Sequence, residues 1–157
     1  MRILFIFTFI LGLSGIGLAQ SQQPVKFSIE FTEVEDKDDE VIGSIVVEQF
    51  KNIGGFQFSV SWDPEELQFL GMADFPNVLN LKNNENFNLQ TAGSGHIRTL
   101  WLDPAGDCVS LKPGESILSF RFHRTTRNAS FEISNQPIAI EFFDCSLQPV
   151  EFKIYTR

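Results

Sequence analysis

Most of this chain is written in alternation. In "VKFSIEFT" the apolar residues Val25, Phe27, Ile29 and Phe31 share one face of an extended segment, and Lys26, Ser28, Glu30 and Thr32 share the other. That period of two marks a half-buried β-strand. It recurs in "FQFSVSW", where Phe56, Phe58, Val60 and Trp62 alternate with Gln57, Ser59 and Ser61. "HIRTLWL" sets Ile97, Thr99 and Trp101 against Arg98, Leu100 and Leu102, and "SILSFRF" sets Leu118, Phe120 and Phe122 against Ser119 and Arg121. "GSIVVEQF", "LQFLGM", "ASFEIS", "PIAIEFF" and "VEFKIY" complete the set, and helical periodicity hardly occurs.

The punctuation agrees. Asp63-Pro64 predicts a tight turn, since proline presets φ and the aspartate carboxylate accepts a nearby backbone N–H, with Leu67 returning to the core. Pro113-Gly114 fits the centre of a type II turn. Residues 75–95 are rich in Asn and Gly and predict a long crossing loop holding "FNLQT" as a short strand. Nine or so short strands with close turns predict an all-β sandwich, whose two sheets press their apolar faces together. The 17 phenylalanines then fill its core.

The first residues change the picture of where the protein works. Met1-Arg2 precede "ILFIFTFILGLSGIGLA", a positive start, an apolar run, and small residues at Gly17 and Ala19. This is the layout of a secretory signal peptide over residues 1–19; the alternative is an uncleaved anchor, because about 17 to 25 apolar residues can span a bilayer. Residues 20–157 are one domain's worth. Without a second apolar segment, a cleaved product is expected to be secreted, extracellular or periplasmic, with no membrane span. The chain has 12 basic and 20 acidic residues. That balance excludes nucleic acid as a natural partner, since phosphate binding needs a basic surface.

Cys108 and Cys145 are the two cysteines. After export a pair tends to close; the bridge would shut a loop of roughly 36 residues, worth ~3 to 4 kcal/mol in the loop-entropy model. Two cysteines and two distant histidines do not make a closed zinc site.

Candidate chemistry is thin. The acidic run "EVEDKDDE" (residues 33–40) lacks the glycine of a calcium loop and reads as a solvated turn between strands, so no metal is assigned. "GSGH" (residues 93–96) puts a serine beside a histidine but leads into a strand, not into the strand-turn-helix of a nucleophile elbow. No carboxylate pair is singled out, and the expectation is a non-enzymatic protein with no cofactor. Asn128-Ala129-Ser130 matches a glycosylation sequon, a pattern too short to decide anything. The informative oddity is "HIRTLWLD". If Ile97, Thr99 and Trp101 face the core, two leucines lie on an outer sheet face, and exposed apolar patches rimmed by polar groups tend to be binding surfaces.

Together "NIGGFQFSVSWDPEELQFLG", "GHIRTLWLDPAG", "VSLKPGESILSFRF" and "PIAIEFFD" resemble the cohesin domain family, over about Val25 to Tyr155. The most specific element is the strand ending in an aromatic-Asp-Pro-x-x-Leu turn, Trp62 to Leu67 here. The resemblance implies a nine-stranded β-sandwich of jelly-roll topology that binds a dockerin, a small calcium-loaded helical module, on the sheet holding the family's third, fifth, sixth and eighth strands. It implies partner contacts at Gln57 and Ser59 on the third strand, near Thr91 on the fifth, at Arg98 and Leu100 on the sixth, and at Asp103 after it. Where several members carry Asp, this chain has Gln57, which lacks the charge-assisted bond, so another protein partner is open. In this topology Cys108 and Cys145 leave their strands at the same end, which fits a bridge. A carbohydrate-binding or adhesion and matrix module on the same sandwich stays open; exposed Trp62, Trp101 or Tyr155 would favour a polysaccharide.

Overall fold

Eleven strands carry the chain in the computed structural model, which describes residues 22–155; the leader expected over residues 1–19 lies outside them. In chain order they are β1 (Val25–Val34), β2 (Lys37–Trp62), β3 (Leu67–Met72), β4 (Phe87–Asn88), β5 (His96–Leu102), β6 (Val109–Leu111), β7 (Ser116–Arg124), β8 (Phe131–Ser134), β9 (Glu141–Asp144), β10 (Pro149–Val150) and β11 (Phe152–Tyr155). The architecture is the expected all-β sandwich of jelly-roll type, with a strand count that differs from nine for identifiable reasons. β2 is a single strand of 26 residues where two were expected. β8 and β9 share one side of β2 and are separated by residues 135–140, so "PIAIEFF" becomes strand only from Glu141. β6 was not expected, and the chain's last alternating run splits at Glu151.

β2 is the member common to both sheets. Its first part pairs with β1 and β7, and β11 and β3 extend this sheet at the two edges. The bend falls at Asn52, whose φ of 53° is a left-handed conformation that asparagine tolerates better than most residues; pairing shifts register on either side. The second part is the centre of the other sheet, with β5 and then β4 on one side, and β8 and β9 followed by β10 on the other.

Phenylalanines close the space between the sheets. Phe27, Phe50, Phe56, Phe58, Phe120, Phe122 and Phe142 are fully buried. Rings meet across the layers, as in Phe27 with Phe142 at 5.8 Å and Phe120 with Phe131 at 5.9 Å. Fully burying each such side chain stabilises by about 1.5–3 kcal/mol relative to exposure. Gly43 makes one of these approaches feasible, since a Cβ there would overlap Phe131 Cε1 on the opposite sheet.

The turns follow their chemistry. Asp63 Oδ1 accepts from Glu65 N at 2.9 Å and Asp63 O accepts from Leu67 N at 2.9 Å, which returns Leu67 to the core. Gly114 sits at φ 91°, as the type II turn requires. The acidic run forms the hairpin between β1 and β2, and its ends are tied by Arg124 to Glu33 at 2.6 Å and Lys37 to Glu40 at 2.7 Å.

Candidate recognition face

The outer face of the second sheet is built in rows, because each outward residue of β2 has one partner on β5 and another on β8 or β9. Gly55 lies between Leu102 and Phe143, Gln57 between Leu100 and Glu141, Ser59 between Arg98 and Ser134, and Ser61 between His96 and Glu132. The inward residues behave as the alternation demands: Phe56, Phe58, Val60 and Trp62 on β2, and Ile97, Thr99 and Trp101 on β5, are buried. The Trp101 indole N–H donates to Leu79 O at 2.7 Å. The outward leucines are exposed as the pattern implies, Leu100 at 51% and Leu102 at 56%.

Six side chains were expected to meet a partner, and the structure separates them. Gln57, Arg98 and Leu100 share the face. Gln57 Nε2 donates to Glu141 Oε2 at 2.9 Å, which ties the amide on the side away from Leu100 and leaves its carbonyl oxygen as an acceptor. With Ile138 and residues 85–88 these three line a shallow groove of about 300 Å³.

Ser59, Thr91 and Asp103 are placed differently. Ser59 is fully buried and its hydroxyl accepts from Ile138 N at 3.3 Å, because the segment between β8 and β9 folds over the middle of the face. Thr91 has an enclosed Oγ1, and its carbonyl accepts from Ser94 N at 2.9 Å in a turn. Asp103 spends both carboxylate oxygens on the loop that follows, Oδ1 on Ala105 N at 3.1 Å and Oδ2 on Cys108 N at 2.8 Å. A partner contact through the Ser59 and Thr91 side chains does not fit their surroundings, and the Asp103 carboxylate is held by its own loop at the border of the face.

Asp103 instead shapes the end of the face. Its loop carries Cys108 to Cys145, with the two Cα atoms 5.6 Å apart in a disulfide. Asp144 builds the matching turn, its Oδ1 accepting from Ser146 N at 2.8 Å and Gln148 N at 2.9 Å. The bridge thus ties the strands that flank β2, beyond Leu102 on one side and Phe143 on the other. Phe143 is a residue the alternation missed as a face member. The signal was there: in "EFFD" adjacent phenylalanines cannot both point inward, and Phe142 takes the core.

No protein-family model and no characterised protein sequence matches the chain. Solved structures do. It is similar to the sixth cohesin of scaffoldin B from Acetivibrio cellulolyticus, a structure in complex with a mutant Cel5 dockerin, with a TM-score of 0.64 and 19% identity over 85% of this chain and 95% of that one. The seventh type I ScaB cohesin from Pseudobacteroides cellulosolvens superposes with a TM-score of 0.59 at 14% identity, covering 87% of this chain and 89% of its own. A type I cohesin–dockerin complex from Clostridium thermocellum gives 0.59 at 10% identity, covering 86% of this chain and all of that one. At such identities the likeness establishes architecture, and on that ground the chain has a cohesin-like fold.

Proposed function

We propose that this protein is a secreted, non-catalytic recognition module that binds a protein partner through the outer face of its second sheet. One observation carries the reading: two consecutive outward positions of β5, Leu100 and Leu102, are both more than half exposed on the outer face of the sheet, beside an amide held in place by Glu141. An exposed apolar area with a polar rim is the signature of an interaction surface. The fold's neighbours add support, since several were solved with a dockerin bound. A dockerin-type module, itself calcium-loaded, is therefore the first candidate partner, and an interface of ordinary size would bury about 800 Å² on this side. The disulfide fits an oxidising compartment, extracellular or periplasmic. A polysaccharide would call for a platform of exposed aromatics. Trp62 and Trp101 are in the core, and the exposed Tyr155 lies on the edge of the other sheet and not on this face, which favours protein over glycan.

The test is capture from the host's secretome on the immobilised mature domain, with calcium and with chelator, repeated with Gln57→Ala/Leu100→Ala. A protein bearing paired calcium loops, retained only with calcium and lost on the double variant, supports the dockerin-type reading. Retention that ignores the double variant places binding elsewhere and removes it.

A further inference from the structure

One row of the recognition face is apolar from side to side. Leu102 pairs with Gly55, Gly55 with Phe143, and Phe143 with Pro149, so the row crosses β5, β2, β9 and β10, three strand spacings or ~14 Å. Gly55 makes it continuous: a Cβ there would lie 2.5 Å from Leu102 Cδ2 and 3.1 Å from Trp101 O. Leu102 therefore leans over β2 through space that any side chain would take. Leu100 adjoins it in the next row.

At the β10 end the row meets an opening of about 450 Å³, lined by Phe143, Pro149, Val150 and Phe152 with Glu141 and Glu151 as its charged members. The opening exists because β10 is two residues long. At Glu151 the chain leaves for the other sheet, where Glu151 O accepts from Val25 N at 2.8 Å, so β9 has no neighbour on that side beyond Phe142. Among the described strand residues of the second sheet, Lys and Arg occur at Lys51, just before the bend in β2, and at Arg98, which stands two rows away, opposite Ser59. The charge bordering the row is carboxylate: Glu141, Glu151, Asp103 and Asp144.

Building on the function proposed above, we infer that this row and its opening are the energetic centre of the recognition face, and that the occupant is a protein segment with an aromatic or aliphatic anchor flanked by Lys or Arg. Binding energy concentrates where an anchor fills a desolvated pocket. Opposite charge around it selects the partner and speeds encounter, and here that charge must come from a basic partner.

The experiment pans a phage-displayed library of random dodecapeptides on the full disulfide-bonded protein. Enriched peptides are expected to carry Leu, Phe or Trp beside Lys or Arg, to weaken with added salt, and to lose about tenfold or more in affinity on Leu102→Ser and on Pro149→Ser. Both variants alter exposed side chains, and unchanged thermal unfolding confirms that they fold. Enrichment of acidic or uncharged sequences overturns the basic occupant. Binding indifferent to both substitutions, or no enrichment, overturns the site. Concentration-dependent dimerisation abolished by Leu102→Ser would make the occupant a second copy, and also overturns it. A secretome partner lost on Gln57→Ala/Leu100→Ala but kept by Leu102→Ser leaves the recognition face standing and removes this placement of its centre.

Discussion

β2 supplies the outer face of both sheets, yet the two stretches end in opposite surfaces. On the first sheet Ser44 lies between Glu30 and Ser119. Its hydroxyl is 2.8 Å from that of Ser119, which in turn reaches Ser116 at 3.4 Å, and Ser28 donates to Glu30 at 3.4 Å. These small polar groups close on one another, and Ser28 and Ser119 are buried among their neighbours. On the second sheet the corresponding row joins Gln57 to Glu141 and sets half-exposed Leu100 beside them, with Leu102 in the adjoining row. Polar outward residues thus have two fates. A satisfied hydroxyl network offers a partner little, because its hydrogen bonds are already made, whereas exposed apolar area is free energy still available on binding.

The disulfide belongs to the second sheet only, and removing it should give the largest effect. Cys108→Ser/Cys145→Ser is expected to lower unfolding free energy by ~3 to 4 kcal/mol, the loop-entropy value, measured by urea denaturation. Hydrogen exchange should then quicken at β9 and β10 more than at β1 and β7. Uniform quickening would mean that the bridge serves the whole sandwich and not the end of one sheet.

The same substitution on the two faces of β2 comes next. Gly43→Ala drives a methyl into Phe131 in the core, and overpacking of this kind costs about 1–3 kcal/mol. Gly55→Ala meets the mobile end of Leu102 first. It should therefore cost less stability than Gly43→Ala while displacing Leu102 from the apolar row. Paired thermal melts decide this, and an equal loss at both positions would place Gly55 in the core's service.

Smaller still is the contrast between two serines. Ser59→Ala takes from Ile138 N its acceptor and should cost about 1 kcal/mol, with faster exchange of the Ile138 amide. Ser44→Ala breaks one hydroxyl pair of similar worth but should leave that amide untouched. If Ser59→Ala leaves exchange at Ile138 unaltered, the segment over the face is held by something else.

These contrasts mark how far alternation could be read. It located the inward faces of β2, β5 and β7, and the Asp63-Pro64 turn, because side-chain direction in a strand depends on position alone. It placed Ser59 on the outward side as well, correctly as direction. What it could not carry was cover, since residues 135–140 reach Ser59 from far along the chain and leave no trace in its own period. Asp103 was legible by another route: Asp103-Pro104 repeats the signal that identified the turn at Asp63-Pro64, and its carboxylate caps its own loop in the same way. The single strand through Asn52 was hidden behind "KNIGG", where Asn and two glycines look like a break but the chain bends and keeps pairing.

The smallest expected change in stability goes with a large expected change in binding. Gln57→Ala removes one exposed hydrogen bond to an exposed carboxylate, and Leu100→Ala trims a side chain already half in water. Neither leaves a buried group without a partner, and the Asn86 amide still donates to Leu100 O at 2.9 Å through the backbone. The double variant should therefore unfold within ~0.5 kcal/mol of the parent, as surface substitutions usually do. Affinity for the captured partner, followed by surface plasmon resonance, should fall by about tenfold or more, because the same atoms are desolvated only in the complex. Ser44→Ala, measured alongside, should leave affinity unchanged. A double variant that melts early while binding normally would reverse the assignment of these residues, making them part of the fold's support and leaving the first sheet as the face to search.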